Sequence, residues 1–335
     1  MPTISVAVLG AGNIGRYHAE SLATRIRGAK LAVIADPVGN LAVKLADELE
    51  CANTTDVDAV LGDRTVDAVV IATPGPTHAE LIGKAALAGK AVFCEKPLAW
   101  DLETADAAVA AVERSGTLLQ IGFQRRFDPA FVRARQLVAE GALGDLQLLR
   151  SITRDPKLTH PERVPPWAIF RETLIHDFDV LCWMMSGVEP VEVFAMADAL
   201  VSPAHAESGL RDTATVQVRF ASGALATADA SFQAVYGYDV RAEVFGSRGM
   251  AIAEPKMGSG AVHYTPEGER RDRVFWYLDL FGDAYTAELR AFVHAVATKG
   301  PSPCTGAEAR RALSIAVAAI RSVEERRPVA LAQGK

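Results

Sequence analysis

Two periodicities divide the chain. Up to about Gly122, short apolar runs typical of strands buried on both faces alternate with Ala-rich stretches of helical period. Ile4–Leu9, Leu31–Ala35, Ala68–Ala72, Ala91–Cys94 and Leu118–Ile121 predict parallel strands, and Leu41–Leu49, His78–Ala88 and Leu102–Ser115 predict helices between them. Alternation of this kind predicts an α/β fold with a doubly wound parallel sheet of Rossmann type. After Phe123 the pattern changes. A helix over Pro129–Glu140 precedes an extended run, Leu146–Asp155, then a Pro-rich loop and a helix over Arg171–Met185. Strands follow in succession at Glu192–Ala197, Thr213–Phe220, Ala224–Phe232, Asp239–Phe245 and Gly249–Ala253, and helices over Asp279–Ala297 and Gly306–Arg326 close the chain. In Thr213–Phe220, apolar Ala214, Val216, Val218 and Phe220 alternate with polar neighbours, the pattern of a half-buried antiparallel strand. The expected organisation is a dinucleotide-binding Rossmann domain over residues 1–123 and an α+β domain with a large, mostly antiparallel sheet over residues 124–335.

Composition narrows the function classes. The 335 residues, half of them hydrophobic, suffice for two cores. A formal net charge of −6, with no basic run, argues against nucleic acid or an anionic membrane as partner. Met1-Pro2-Thr3 leads directly into a strand rather than a secretion signal, and no apolar run is long enough to span a bilayer. Cys51, Cys94, Cys182 and Cys304 are scattered without a C-x-x-C pair, so reduced thiols and a cytoplasmic location are expected.

Gly10-Ala11-Gly12-Asn13-Ile14-Gly15 places G-x-G-x-x-G between the first strand and the first helix. Gly10 allows a tight turn, Gly12 a close backbone approach to pyrophosphate, and Gly15 close helix–strand packing. The first-turn N–H groups of Asn13 and Ile14 face the phosphates with the positive end of the helix dipole. Asp36 ends the second strand, where an acid binds ribose hydroxyls and repels a 2′-phosphate, so NAD is expected rather than NADP. Thr73 and Pro74, in the stiff loop ending at His78, are expected to wall the cofactor, with His78 beside them.

Removing hydride from an alcohol also needs a base for the hydroxyl proton and a donor for the developing alkoxide. Glu95-Lys96-Pro97 ends a strand on the same rim, and Pro97 keeps Lys96 extended, so its ammonium is aimed reproducibly. Glu95 and Lys96 are both expected near the cofactor. In Arg171–Asp179, Glu172, His176 and Asp179 form a polar stripe opposite Leu174 and Phe178. Glu172 is expected to hold one imidazole nitrogen of His176 while the other faces substrate, with Thr173 beside them. A solvated face and a metal site are the alternatives; a metal lacks third and fourth ligands, and none is expected.

Taken together, these motifs resemble the Gfo/Idh/MocA family of oxidoreductases, and within it the inositol branch. The resemblance also draws on Arg125-Arg126-Phe127-Asp128, Ser151–Pro156 and Val235-Tyr236-Gly237-Tyr238-Asp239. It implies an NAD-dependent polyol dehydrogenase with Lys96 as the catalytic lysine and His176 as the acid–base group. It further implies that Arg125, Asp155 and Tyr236 reach substrate hydroxyls, and that the assembly is a homo-tetramer. Glu172 stands where the family usually has Asp, which leaves another inositol stereoisomer or a sugar as alternatives to myo-inositol. A sugar dehydrogenase or reductase of the same fold is the second reading, and an NAD- and sugar-sensing regulator without turnover the third. Assembly has its own hint in the small-residue stripe Ala224, Ala226, Ala228 and Ala230, whose strand carries Leu225, Thr227 and Asp229 on the other face.

Overall fold

Six strands pair as a parallel sheet in the computed structural model, which describes residues 2–254 and 256–331. They are β1 (Ile4–Leu9), β2 (Ala29–Ala35), β3 (Ala52–Thr54), β4 (Ala68–Ile71), β5 (Ala91–Glu95) and β6 (Leu119–Gly122). Their order across the sheet is β3-β2-β1-β4-β5-β6, so strand order reverses between β1 and β4. Ligands of such sheets bind at that reversal, outside the carboxyl ends of the strands. The helices between strands are α1 (Asn13–Thr24), α2 (Gly39–Glu48), α3 (Val57–Gly62), α4 (His78–Leu87) and α5 (Leu102–Ser115). Local chemistry sets their ends: Asp101 caps α5 by accepting the Thr104 N–H, and Gly116 ends it in the left-handed region at φ +68°.

The rest of the chain forms α6 (Pro129–Ala139), β7 (Leu146–Arg154), α7 (Leu174–Met184), β8 (Pro190–Asp198), β9 (Thr213–Phe220), β10 (Leu225–Ser231), β11 (Asp239–Gly246) and β12 (Gly249–Ala253). After these come β13 (Val262–Thr265), β14 (Gly268–Arg271), α8 (Tyr277–Thr298), α9 (Gly306–Glu325) and β15 (Val329–Ala330). Seven strands make a mixed sheet in the order β12-β11-β7-β10-β9-β8-β15, with only β10 and β7 parallel. The α/β class, the parallel first sheet and the mostly antiparallel second sheet agree with expectation.

Two compact units result, Met1–Gln124 with Asp283–Arg310, and Arg125–Gly282 with Arg311–Lys335. The return of residues 283–310 to the first unit departs from a simple division at 123/124. Leu289, Phe292 and Val293 of α8 join Val6, Val8, Leu22, Ile34, Val70 and Phe93 in one core, and Phe93 and Phe292 meet edge to face at 5.8 Å. Helical period shows that α8 has an apolar face but not what that face covers.

In the second unit, α7 packs on β7 and β10. The alanine stripe explains the fit: Ala226, Ala228 and Ala230 are buried, and their small side chains let a helix approach the sheet closely. The opposite face is open, with Met196, Leu225, Phe245, Met250 and Ile252 exposed. Among the described residues no helix is long and apolar enough to cross a membrane.

Candidate active site

In the first unit the glycine turn has the shape of a phosphate cradle. Gly10 sits at φ +102°, and a Cβ there would lie 2.6 Å from the Ala72 carbonyl oxygen. A Cβ on Gly15 would lie 2.0 Å from the Gly10 oxygen, so both positions exclude a side chain. Gly12, by contrast, has nothing within 4 Å of its would-be Cβ. It stands at the N-cap of α1 without a side-chain cap, and the first helical bond runs from the Arg16 N–H to the Gly12 oxygen. The amides of Asn13, Ile14 and Gly15 therefore precede the helical ladder and suit phosphate oxygens.

Asp36 is bound to the same turn. One carboxylate oxygen accepts the Ala11 N–H at 2.7 Å and the other accepts the Val38 N–H at 2.8 Å. Each oxygen keeps a further lone pair for a ribose hydroxyl. These features fit a dinucleotide.

The loops after β4 and β5 are tied together by His78. Its Nε2 lies 2.8 Å from the Thr73 oxygen and its Nδ1 2.7 Å from the Pro97 oxygen, with the ring 1 % exposed. Burial lowers its pKa, against the pull of the two carbonyls. A ring so enclosed braces the loop that was expected to wall the cofactor. Thr73 hydrogen-bonds the Thr77 hydroxyl at 2.7 Å, and Thr77 donates to the Pro74 oxygen. Lys96 follows β5, is partly exposed, and precedes Pro97 through a cis peptide. Glu95 turns inward instead: it is 6 % exposed, with Oε1 2.7 Å from Nε2 of the fully buried His18.

In the second unit the segment before α7 is a π-helical turn, Ile169–Thr173, containing Glu172 and Thr173. The wider turn breaks the regular α spacing expected between Glu172 and His176. Both Glu172 and Thr173 are partly exposed, whereas α7 is buried all round from Leu174 to Cys182, with His176 at 8 %.

The acids of α7 face the core. Asp177 accepts Arg125 Nη1 at 2.9 Å, Ser151 Oγ at 2.6 Å and Thr153 Oγ1 at 2.7 Å. Arg125 Nη2 also donates to Thr153 Oγ1 at 2.7 Å. Asp179 takes a two-pronged bond from Arg126, Nε to Oδ2 at 2.9 Å and Nη2 to Oδ1 at 2.7 Å. Arg125 is 3 % exposed, and Asp177 and Asp179 are fully buried. The structure thus places Arg125 in a core ion pair and takes Asp179 out of the polar stripe.

Asp155 directly follows β7, partly exposed, its backbone bonded to Ser231 and Ala234, and its charge helps burial raise the Tyr238 phenol. Tyr236 is 46 % exposed and donates to Asp239 Oδ2 at 3.1 Å. Burial, then the Asp239 charge, raises its pKa. The structure thus gathers Gly10, Gly12, Gly15 and Asp36 around one turn, and Arg125 around Asp177. The sequence reading missed His18, Asp177 and Glu288. His18 lies one turn after Gly15 on the packed face of α1, and Glu288 interrupts the apolar stretch of α8, which are the signals available for them.

Comparison with known proteins decides the family. Residues 4–123 match the oxidoreductase family's NAD-binding Rossmann fold, and residues 131–252 match the GFO/IDH/MocA C-terminal domain. The chain belongs to the Gfo/Idh/MocA family of oxidoreductases. Among its relatives in this family is the inositol 2-dehydrogenase of Rhizobium meliloti, 36 % identical over 332 residues, which are 98 % of this chain and 100 % of that protein. The myo-inositol 2-dehydrogenase of Thermotoga maritima is 36 % identical over 329 residues, 97 % and 98 % of the two chains. The crystal structure of scyllo-inositol dehydrogenase from Lactobacillus casei with NAD(H) and scyllo-inositol superposes with a TM-score of 0.93 at 28 % identity, covering 98 % and 99 %. This Gfo/Idh/MocA member is therefore an oxidoreductase with an NAD-binding domain.

Proposed function

We propose that the protein oxidises a secondary ring hydroxyl of an inositol, myo-inositol or a stereoisomer, to the ketone. The observation that carries this reading is identity of about one third over essentially the whole length of inositol dehydrogenases, in both domains. NAD, when bound, supplies the hydride acceptor. Gly10, Gly12, Asn13, Ile14 and Gly15 hold its pyrophosphate, Asp36 its ribose, and Thr73 and Pro74 wall it. His176 takes the hydroxyl proton, Glu172 orients the imidazole, and Lys96 steadies the alkoxide and relays the proton. Asp155, Thr173 and Tyr236 bond the other ring hydroxyls, so a missing or inverted hydroxyl leaves polar groups unpaired and is rejected. Arg125 acts through Asp177, fixing α7 beneath His176.

A second reading, a sugar dehydrogenase, is favoured by Glu172, whose extra methylene relative to Asp shifts its carboxylate. The open sheet face, with Met196, Leu225, Phe245, Met250 and Ile252, supports a homo-tetramer. A cytoplasmic location suits an NAD enzyme with four free cysteines.

The test is a panel of inositol isomers and aldoses with NAD and NADP. Reduction of NAD by an inositol is expected, with Lys96→Ala and His176→Ala each about 10²- to 10⁴-fold slower. Turnover with aldoses alone would favour the sugar reading, and cofactor binding without turnover would make the protein a sensor.

A further inference from the structure

In the second unit the loop that carries Tyr236 is held from several sides. The Ala234 N–H donates to the Asp155 oxygen at 2.8 Å, the Gly237 N–H to the Ala234 oxygen at 2.9 Å, and the Tyr238 N–H to the Val274 oxygen at 2.7 Å. Gly237 sits at φ +101°, and a Cβ there would lie 2.8 Å from both Arg273 Cβ and the Val274 oxygen, so the turn has no room for a side chain. The Arg273 guanidinium packs over the Tyr236 ring, 5.6 Å from its centroid. Backbone and ring are thus fixed, while Tyr236 stays half exposed.

A phenol has one proton to give and lone pairs with which to accept. Here the proton is committed, because the Tyr236 hydroxyl donates to Asp239 Oδ2 at 3.1 Å. Asp239, the first residue of β11, is buried, and its other oxygen, Oδ1, lies 3.2 Å from Arg241 Nε. Arg154 stands opposite Asp239 in the register of β11 with β7. A carboxylate between basic residues only accepts, so the phenol beside it must donate. Burial, then the Asp239 charge, holds that proton on Tyr236.

We propose that Asp239 is a positioning residue for substrate choice: by holding the Tyr236 proton it leaves the phenol only lone pairs to offer, so the site demands a ring hydroxyl that donates. The proposal rests on the reading of Tyr236 as a substrate contact. It gives the pocket a rule of polarity. A fluorine, an ether oxygen or a ketone at the position Tyr236 reads sets lone pair against lone pair and is refused, so a ring already oxidised there does not bind productively. Asp239→Asn inverts the rule. Arg241 keeps the amide oxygen, the amide nitrogen turns to the phenol oxygen, and the freed phenol proton becomes a donor to the substrate.

Two readouts test it. Raman spectra of the whole protein without substrate, each minus the spectrum of its Tyr236→Phe counterpart, isolate the tyrosine doublet whose intensity ratio separates a donating phenol from an accepting one. The ratio should report a donor in the wild type and shift toward an acceptor in Asp239→Asn. Monodeoxy and monodeoxyfluoro inositols then locate the hydroxyl that Tyr236 reads, as the position whose loss no longer matters in Tyr236→Phe. There the wild type should lose about tenfold in kcat/KM with hydrogen and with fluorine alike, while Asp239→Asn should favour fluorine over hydrogen by about threefold. An accepting phenol in the wild type, an unchanged doublet in Asp239→Asn, the absence of any such ring position, or a wild type that tolerates fluorine there would overturn the proposal. Failure of every inositol to reduce NAD would instead end the inositol reading, and the Raman ratio would still decide whether Asp239 holds the phenol proton.

Discussion

Replacing Asp177 with Leu, Arg125 with Met, and both together separates a structural Arg125 from a substrate-binding one. The pair is buried, with Arg125 at 3 % exposure and Asp177 at 0 %, and the carboxylate accepts three hydrogen bonds. Asp177→Leu leaves a guanidinium uncompensated in the core, which costs about 3–5 kcal/mol. It also takes the acceptor from the Ser151 and Thr153 hydroxyls, although Thr153 still accepts from Arg125. Arg125→Met leaves the carboxylate uncompensated, at a similar cost. The double variant removes both charges at nearly constant volume, so its loss should be well below the sum of the single losses, with a coupling of about 1–3 kcal/mol. What remains is the cost of the stranded hydroxyls, about 1–3 kcal/mol for each. Urea titration gives the four midpoints, and substrate saturation gives the four KM values. The reasoning is refuted if Arg125→Met leaves the midpoint unchanged and raises the KM for the polyol about tenfold, since Arg125 then serves the substrate directly.

Four further outcomes are expected. Asp36→Ser removes the acceptor of the Ala11 and Val38 amides and the ribose partner, so the KM for NAD should rise about 10- to 100-fold, with less discrimination against NADP; an unchanged cofactor ratio would contradict this. Gly10→Ala puts a methyl against the Ala72 carbonyl in a left-handed conformation, at a cost of about 1–3 kcal/mol before the clash, and should abolish NADH binding seen by fluorescence. Glu288 keeps its proton in the folded state above the ordinary carboxylate value of 4.5, where the unfolded chain has lost it. The folded state then binds more protons, so stability falls as pH rises above about 4.5, by up to about 1.4 kcal/mol per unit. Glu288→Gln lacks this dependence, and its advantage in denaturation midpoint should grow from pH 5 to pH 8; parallel curves would contradict it. Phe245→Glu with Ile252→Glu places charge on the open sheet face and should lower the sedimenting mass, with NADH binding retained.

Strands buried on both faces write themselves as unbroken apolar runs, which is why β1, β4 and β5 were legible within a residue. The mixed sheet was legible where one face is wet, as in Thr213–Phe220, whose alternate residues are buried. Short or wholly exposed elements carry no such mark: β3 has three residues, α3 has six, and all four residues of β14 are exposed. The glycine turn was readable because backbone geometry there admits no other residue. Polar residues inside helices were misread for one physical reason. A charge on a helix face looks solvated unless its partner is visible, and the partners of Asp177 and Asp179 lie 52 and 53 positions away. The burial of Glu95 and His78 is equally invisible, because a motif shows that a residue stands near a strand end but not whether its side chain turns inward or outward.

Isotope transfer from the substrate carbon tests the central claim most directly. Myo-inositol or scyllo-inositol carrying deuterium at the ring carbons is incubated with the protein and NAD, and the reduced nicotinamide and the ketone product are read by mass spectrometry. One deuterium should appear on the nicotinamide for each ketone formed, because the C–H bond leaves with its electron pair while the hydroxyl proton goes to the protein. A ketone formed without label on the cofactor, or no reduction with any inositol while an aldose reacts, would contradict the account.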